Sequence, residues 1–214
     1  MGGIQTQKVL KRALSAVVMI PCVLLIIWQG GYLFAAFVGL LAGLALTEMW
    51  KMAAQVKHKW LLFAAMAVYM IGGAVFCYHL RDVYGFELTI LFFVAMWCSD
   101  IGAYFSGKFI GGAKMSPGIS PNKTWAGYAG ALVFPALVLS VGMLMVDPFI
   151  IAGGVALGIV GQAGDLLISL IKRDAHVKDT GDLIPGHGGV LDRIDSLIPA
   201  VIVYLALIKL GIVG

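Results

Sequence analysis

Apolar runs of nearly helix-spanning length follow one another along this chain, and each is bounded by glycine, proline or charge. A helix that crosses the hydrocarbon core of a bilayer needs about 20 mostly apolar residues. The pattern predicts seven such helices, over 13–29, 32–50, 60–80, 85–107, 127–146, 149–171 and 194–213. The separators are Gln29-Gly30-Gly31, Lys51–Lys59, Arg81-Asp82, a long loop over 108–126, Asp147-Pro148 and a long loop over 172–193. The opening residues, MGGIQTQKVLKRALSAVVMI, have the outline of a secretory leader. Their apolar run leads straight into another without a clear cleavage site, so a retained first helix is expected.

The basic residues order these helices with respect to the membrane. Lys8, Lys11 and Arg12 precede the first helix, and Lys51, Lys57 and Lys59 follow the second. Lys108, Lys114 and Lys123 follow the fourth, and Lys172, Arg173, Lys178 and Arg193 follow the sixth. Each group is two helices from the next, so thirteen of the fifteen Lys/Arg share one face and only Arg81 and Lys209 do not. Basic residues near span ends mark the cytoplasmic side. The N-terminus is then cytoplasmic, and so are both long loops.

Composition agrees with the pattern. Of 214 residues, 61% are hydrophobic and 12% charged, against roughly 25% charged in an ordinary globular domain. The mean hydropathy is +0.97. A soluble globule, a disordered chain and a disulfide scaffold are all excluded. The reading is an all-α polytopic integral membrane protein forming one domain over 1–214. Cys22, Cys77 and Cys98 stand singly in apolar runs and read as small hydrophobes. Gly39/Gly43 and Gly154/Gly158 have the small-xxx-small spacing of closely packed helices. The net charge of +4 reflects membrane orientation rather than a nucleic-acid footprint.

Ionisable groups inside a span are costly and point to function. Asp100 and Asp165 sit seven and six residues from the cytoplasmic ends of their helices, roughly 10 Å below the interface at 1.5 Å per residue. Asp192 and Asp195 open the last helix, and Glu48 closes the second. Asp100 shares a helical face with Tyr104, and Asp165 with Ser169 and Lys172. Internal ion pairs would account for some of these acids: Asp165 with Lys172, and Asp192 or Asp195 with Arg193. Converging carboxylates also suit Mg²⁺, which takes oxygen ligands and keeps contacts to phosphate. The absence of a Cys/His cluster argues against zinc.

The two long loops suit phosphate. The first contains Ser120-Pro121-Asn122-Lys123-Thr124-Trp125, with a point charge and small hydroxyl donors. Trp125 reads as an interfacial anchor or a base-stacking platform. The second carries Lys172, Arg173 and Lys178, and its Gly186-His187-Gly188-Gly189 run leaves backbone N–H groups open to an anion. Cations, glycines and carboxylates on one membrane face together point to metal-assisted phosphate chemistry, in which positioning and charge neutralisation supply most of the rate.

These residues carry a resemblance. Ser169-Leu-Ile-Lys172-Arg173-x4-Lys178-Asp179-x-Gly181-x2-Ile184-Pro185-x-His187-Gly188-Gly189-x2-Asp192-Arg193-x-Asp195 resembles the 27-residue signature of phosphatidate cytidylyltransferases, also called CDP-diacylglycerol synthases. A second similar stretch runs from Asp100-x2-Ala103-Tyr104 through Gly107 to Ser120-Pro121-x-Lys123-Thr124-Trp125-x-Gly127, and Gly164-Asp165-Leu166 is a third. Together they cover most of 98–196, the motif-bearing catalytic half.

The resemblance implies transfer of the cytidylyl group of CTP to phosphatidic acid with Mg²⁺, and with a second metal ion in some arrangements. It places Asp165, Asp192 and Asp195 around the metal, with Asp100 a further candidate. Lys172, Arg173 and Lys178 join the catalytic set. Ser120, Lys123, Thr124, His187, Gly188, Gly189 and Arg193 are the substrate-binding candidates. Position 126 is Ala where members often carry Glu, and the chain is shorter than many members on the N-terminal side. The partners expected are CTP, phosphatidic acid and membrane lipid, with no nucleic acid and with a homodimer compatible. The location expected is a bacterial inner membrane, with the active site facing the cytoplasm. The competing readings are a CTP-dependent transferase or kinase acting on another membrane lipid, a transporter or channel, and a scaffold.

Overall fold

The computed structural model describes residues 20–183 and 188–214. Lys8, Lys11, Arg12, residues 13–19 of the expected first helix, and His187 lie outside the described residues. The described chain is nearly all helical. Its elements are α1 (Ile20–Gln29), α2 (Gly31–Ala53), α3 (Lys59–Phe109), β1 (Lys114–Ser116), β2 (Ser120–Thr124), α4 (Trp125–Gly142), α5 (Pro148–Asp174), α6 (Leu191–Ile194) and α7 (Leu197–Lys209). Four of these, α2 to α5, are long and apolar enough to cross a membrane. Large apolar side chains such as Leu40, Val68, Val133 and Val141 stand exposed on their outer faces. That is the reverse of a water-soluble surface, and the chain is an integral membrane protein.

The break expected at Arg81-Asp82 falls instead at Gly85. The helix runs through Arg81, and Gly85 takes φ 81°, ψ −172° inside α3, a conformation open to glycine but costly for other residues. Arg81 does not face a loop because its side chain turns inward. Its Nε donates to Ile27 O at 2.6 Å and its Nη2 to Trp28 O at 2.8 Å. A helix leaves its last four carbonyls without internal partners, so Arg81 caps the C-terminal end of α1. Gly30 makes room for it, since a Cβ there would lie 2.7 Å from Arg81 Cζ.

The remaining boundaries follow local chemistry. Thr124 caps α4 by accepting from Gly127 N at 3.1 Å. Asp147 caps α5 by accepting from Phe149 N at 2.7 Å, with Pro148 in the first turn. The last expected helix divides into the single turn α6 and the longer α7. Pro135 sits inside α4 and cannot donate to the carbonyl four residues back. Ser99 Oγ on α3 donates to that freed Ala131 carbonyl at 2.8 Å.

α3 packs against α2, α4 and α7, and α5 against α4 and α7. Gly154 and Gly158 do serve close packing: a Cβ at either would overlap the α4 backbone at Ala136 or Ala131. At Gly39 and Gly43, among the described residues, nothing lies within 4 Å of where a Cβ would stand. One buried apolar cluster is built around Phe34, Phe92, Leu139, Leu157 and Tyr204. A second, with Met49, Met52, Ile168, Ile171 and Leu191, lies under the segment that leads into α6.

Candidate active site

The loop expected over 108–126 contains a small antiparallel hairpin. β1 pairs with β2, Lys114 opposite Thr124 and Ser116 opposite Ser120, and Ile119 N closes the turn on Ser116 O at 3.2 Å. β2 runs directly into α4. Gly107 and Gly127 let the two helices meet there: a Cβ on Gly107 would stand 3.1 Å from Thr124 Oγ1 and 3.6 Å from Gly127 Cα. Lys123 is thereby carried onto the helices that bear the acids.

A cavity of about 500 Å³ opens at this junction, and Asp100, Tyr104, Lys108, Asn122, Lys123 and Asp165 are among its lining residues. Lys123 Nζ lies 2.7 Å from Asp165 Oδ2. Among the described residues the ammonium meets no acceptor beyond this carboxylate. One N–H is turned to Asp165, and two remain for an oxygen-rich ligand. Ser169 Oγ donates to Asp165 Oδ1 at 3.3 Å, as their helical spacing predicts.

The ion pairs differ from those expected. Asp165 pairs with Lys123 rather than with Lys172 on its own helix. Lys172 Nζ instead reaches Asp192 Oδ1 at 2.6 Å, with both side chains nearly excluded from solvent. The other Asp192 oxygen accepts from Thr180 N and Thr180 Oγ1, each at 2.9 Å, and from Gly189 N at 3.2 Å. Burial pushes the Asp192 carboxyl upward, but the bonds from Lys172 and the Thr180 amide outweigh it and hold the group below its ordinary range.

Asp195 is buried, and its Oδ1 accepts from Ser196 N at 2.8 Å. It lies within electrostatic reach of Asp165, Asp100 and Lys172. Gly164 brings this about, because a Cβ there would overlap the Asp195 carbonyl oxygen and sit 2.7 Å from Pro199 Cγ. Asp100 in turn feels Asp165, Lys123 and Arg193. Asp100, Asp165 and Asp195 thus form one electrostatic group, with Asp192 beside it through Lys172. Among the described residues, no three His, Cys, Asp or Glu side chains form a ready metal cage.

Other expected residues have structural partners. Arg173 donates Nε to Ile119 O at 3.0 Å and Nη1 to Val177 O at 3.2 Å, tying the hairpin turn to the end of α5. Ser120 pairs across the hairpin and Thr124 caps α4. Lys178 and Arg193 are exposed.

Carboxylates of the chain itself take the amides from Gly189 onward. Gly189 N donates to Asp192. Val190 N donates to Glu48 Oε1 and Leu191 N to Glu48 Oε2, each at 2.9 Å. Thr180 Oγ1 lies 2.9 Å from the same Glu48 Oε2. Glu48, 1% exposed, is the residue whose role the sequence left unassigned. The only signal for it was a carboxylate at the end of an apolar span.

Fold and site together define an integral membrane protein whose polar chemistry collects at one end of the helices, around a cavity where lysines meet carboxylates. The model of the cytidylyltransferase family matches residues 10–84 and 51–210, and the chain belongs to that family. Over 188 residues it is 35% identical to a phosphatidate cytidylyltransferase of Brucella suis biovar 1 (strain 1330), covering 83% of this chain and 66% of that protein. It is 40% identical over 147 residues to the phosphatidate cytidylyltransferase of Bacillus subtilis (strain 168), covering 64% of this chain and 54% of that protein. The corresponding protein of Haemophilus influenzae (strain ATCC 51907 / DSM 11121 / KW20 / Rd) is 44% identical over 136 residues, 58% of this chain and 46% of its own length. The chain spans about half to two thirds of the length of these curated relatives.

Proposed function

We propose that this chain transfers the cytidylyl group of CTP to phosphatidic acid, giving CDP-diacylglycerol and pyrophosphate. The observation that carries this reading is Lys123: its ammonium pairs with Asp165 in the wall of a cavity large enough for a phosphate-bearing ligand, with donors to spare. The family and the names of its relatives supply the substrate class.

The reaction asks for little covalent help. A phosphatidate oxygen, already anionic near neutral pH, attacks the α-phosphorus of CTP in line. The new P–O bond forms as the α–β anhydride bond breaks, and the electron pair leaves with pyrophosphate. Lys123 holds phosphate oxygens in the cavity, and Lys172, Arg173, Lys178 and Arg193 supply positive charge around it. Ser120, Thr124, Gly188 and Gly189, with His187 outside the described residues, are the further donors this reading assigns to the substrates.

The donor set fits Mg²⁺ of the kind held by one or two carboxylates, water and substrate phosphate. Asp100 and Asp165 line the cavity, and Asp195 lies within electrostatic reach of both. In this arrangement Asp192 anchors Lys172, with both of its oxygens engaged. When bound, the ion would neutralise charge on the triphosphate.

In the same reading the chain crosses the membrane seven times. α3 is about 75 Å long at 1.5 Å per residue, more than twice the roughly 30 Å hydrocarbon core. Its halves on either side of Gly85 are taken as separate spans. The reading puts the N-terminus and the site on the cytoplasmic face of a bacterial inner membrane, and the basic residues at the span ends support that orientation. A homodimer is part of this reading, with the unfilled Gly39/Gly43 face of α2 as a small-residue surface for a second copy.

The test is incubation of purified protein with labelled CTP, phosphatidic acid and Mg²⁺. The expected products are a cytidylylated lipid and pyrophosphate. A phosphorylated lipid with release of CDP would establish a kinase instead.

A further inference from the structure

Glu48 is far in sequence from every motif of the site, yet it holds the segment that carries Asp192. It lies near the end of α2, a membrane-crossing helix, and is almost wholly buried. Among the described residues no lysine or arginine forms an ion pair with it. Its partners are two consecutive backbone amides, Val190 N and Leu191 N, and the hydroxyl of Thr180. The surrounding glycines are shaped to this carboxylate. A Cβ on Gly181 would stand 2.7 Å from Glu48 Oε1, and one on Gly189 would overlap Thr180 Oγ1 and crowd Glu48 Oε2 at 2.5 Å.

Thr180 joins Glu48 to Asp192. Its Oγ1 lies 2.9 Å from Glu48 Oε2 and 2.9 Å from Asp192 Oδ2. One hydroxyl carries one proton, so Glu48 and Asp192 share a single donor. The amides on either side are divided between the same two acids: Thr180 N and Gly189 N go to Asp192, and Val190 N and Leu191 N go to Glu48. Moving Glu48 would therefore release both ends of the cradle around Asp192. Asp192 in turn fixes Lys172.

Resting on the cytidylyl-transfer reading, we infer that Glu48 is a positioning residue for the reaction. Through Thr180 and the Val190 and Leu191 amides it sets the position of Asp192 and Lys172, and it touches no substrate itself. The effect falls on the transfer step that the Lys172–Asp192 pair serves, not on holding the lipid.

The test uses the purified full chain as wild type, Glu48→Gln and Thr180→Val. Gln keeps the shape of Glu but has one acceptor oxygen, so one of the three donors loses its partner. Val removes only the hydroxyl link. Loss of a hydrogen bond to a charged acceptor is expected to lower kcat/KM for CTP by about tenfold or more in each variant. KM for phosphatidate should be unchanged. Amide hydrogen exchange at Val190 and Leu191 should be faster by about tenfold in Glu48→Gln.

Unchanged exchange at those amides overturns the clamp whatever the substrate proves to be. A raised KM for phosphatidate overturns the positioning role in favour of general destabilisation. If Glu48→Gln does not fold, Thr180→Val decides alone: wild-type kcat/KM for CTP in that variant refutes the link. A wild-type protein inactive with CTP refutes the transfer reading, while the exchange measurement still judges the clamp.

Discussion

Lys123 Nζ lies 2.7 Å from Asp165 Oδ2, so the β2 strand and the α5 helix meet through one ion pair at the wall of the cavity. The pair is partly open to solvent, which limits its worth to stability. The donors of the ammonium left over from this pair point to binding as its main task.

Lys123→Ala should therefore raise KM for CTP or for phosphatidate by about tenfold, the scale of a lost hydrogen bond to a charged group. It should leave thermal stability nearly unchanged. Steady-state kinetics with each substrate varied in turn, alongside a melting curve in detergent, reads both effects. Unchanged KM for both substrates would remove Lys123 from the site.

Asp192→Asn removes the charge from a buried pair and leaves Lys172 facing an amide. Breaking such a pair costs about 3–5 kcal/mol. Transfer should fall below detection while the protein still inserts in the membrane. Limited proteolysis should cut the segment over 179–192 faster than in wild type. Normal turnover in the purified variant would contradict the placement of Lys172 by Asp192.

Arg81 should matter for stability and not for chemistry. Arg81→Met leaves the Ile27 and Trp28 carbonyls without their donor, at a cost of about 1–3 kcal/mol. Gly30→Ala should be destabilising as well, because its Cβ would meet the guanidinium. Both variants are expected to melt earlier than wild type, with KM unchanged for either substrate.

Ser99 and Pro135 should be coupled. Ser99→Ala leaves the Ala131 carbonyl unpaired, a loss of about 1–3 kcal/mol. Pro135→Ala restores an N–H that can reach the same carbonyl along α4. Ser99→Ala should then cost less in the Pro135→Ala background, as a double-mutant cycle of melting temperatures would measure. Equal costs in both backgrounds would dissociate the two residues.

Much of this architecture was legible in the sequence because apolar length and local spacing are short-range signals. The Asp165–Ser169 bond is a helical i, i+4 pair, and Gly154 and Gly158 have packing spacing that the α4 backbone fills. What failed depended on where a side chain ends. Arg81-Asp82 looked like a water-exposed break, but Arg81 turns to cap α1, and the chain bends at Gly85. Lys172 was nearest in helix geometry to Asp165, yet it is taken by Asp192 from a distant segment, while the hairpin supplies Lys123. The glycine run before the last helix reads as open to an anion, and Gly189 N meets Asp192. No spacing rule could reveal that Glu48, arriving from another helix, takes the next two amides. Gly39 and Gly43 share the spacing of Gly154 and Gly158, but among the described residues nothing lies within 4 Å of where their Cβ atoms would stand.

The most direct measurement follows the α-phosphate of labelled CTP in purified wild type and in Asp165→Asn, with phosphatidic acid and Mg²⁺ supplied. The α-label should appear on the lipid in wild type, with pyrophosphate released, and transfer should fall roughly a hundredfold or more in Asp165→Asn, the scale of losing one electrostatic stabiliser of the reaction. Label reaching the lipid only from the γ-phosphate, or α-label transfer undiminished in Asp165→Asn, would contradict cytidylyl transfer at this cavity.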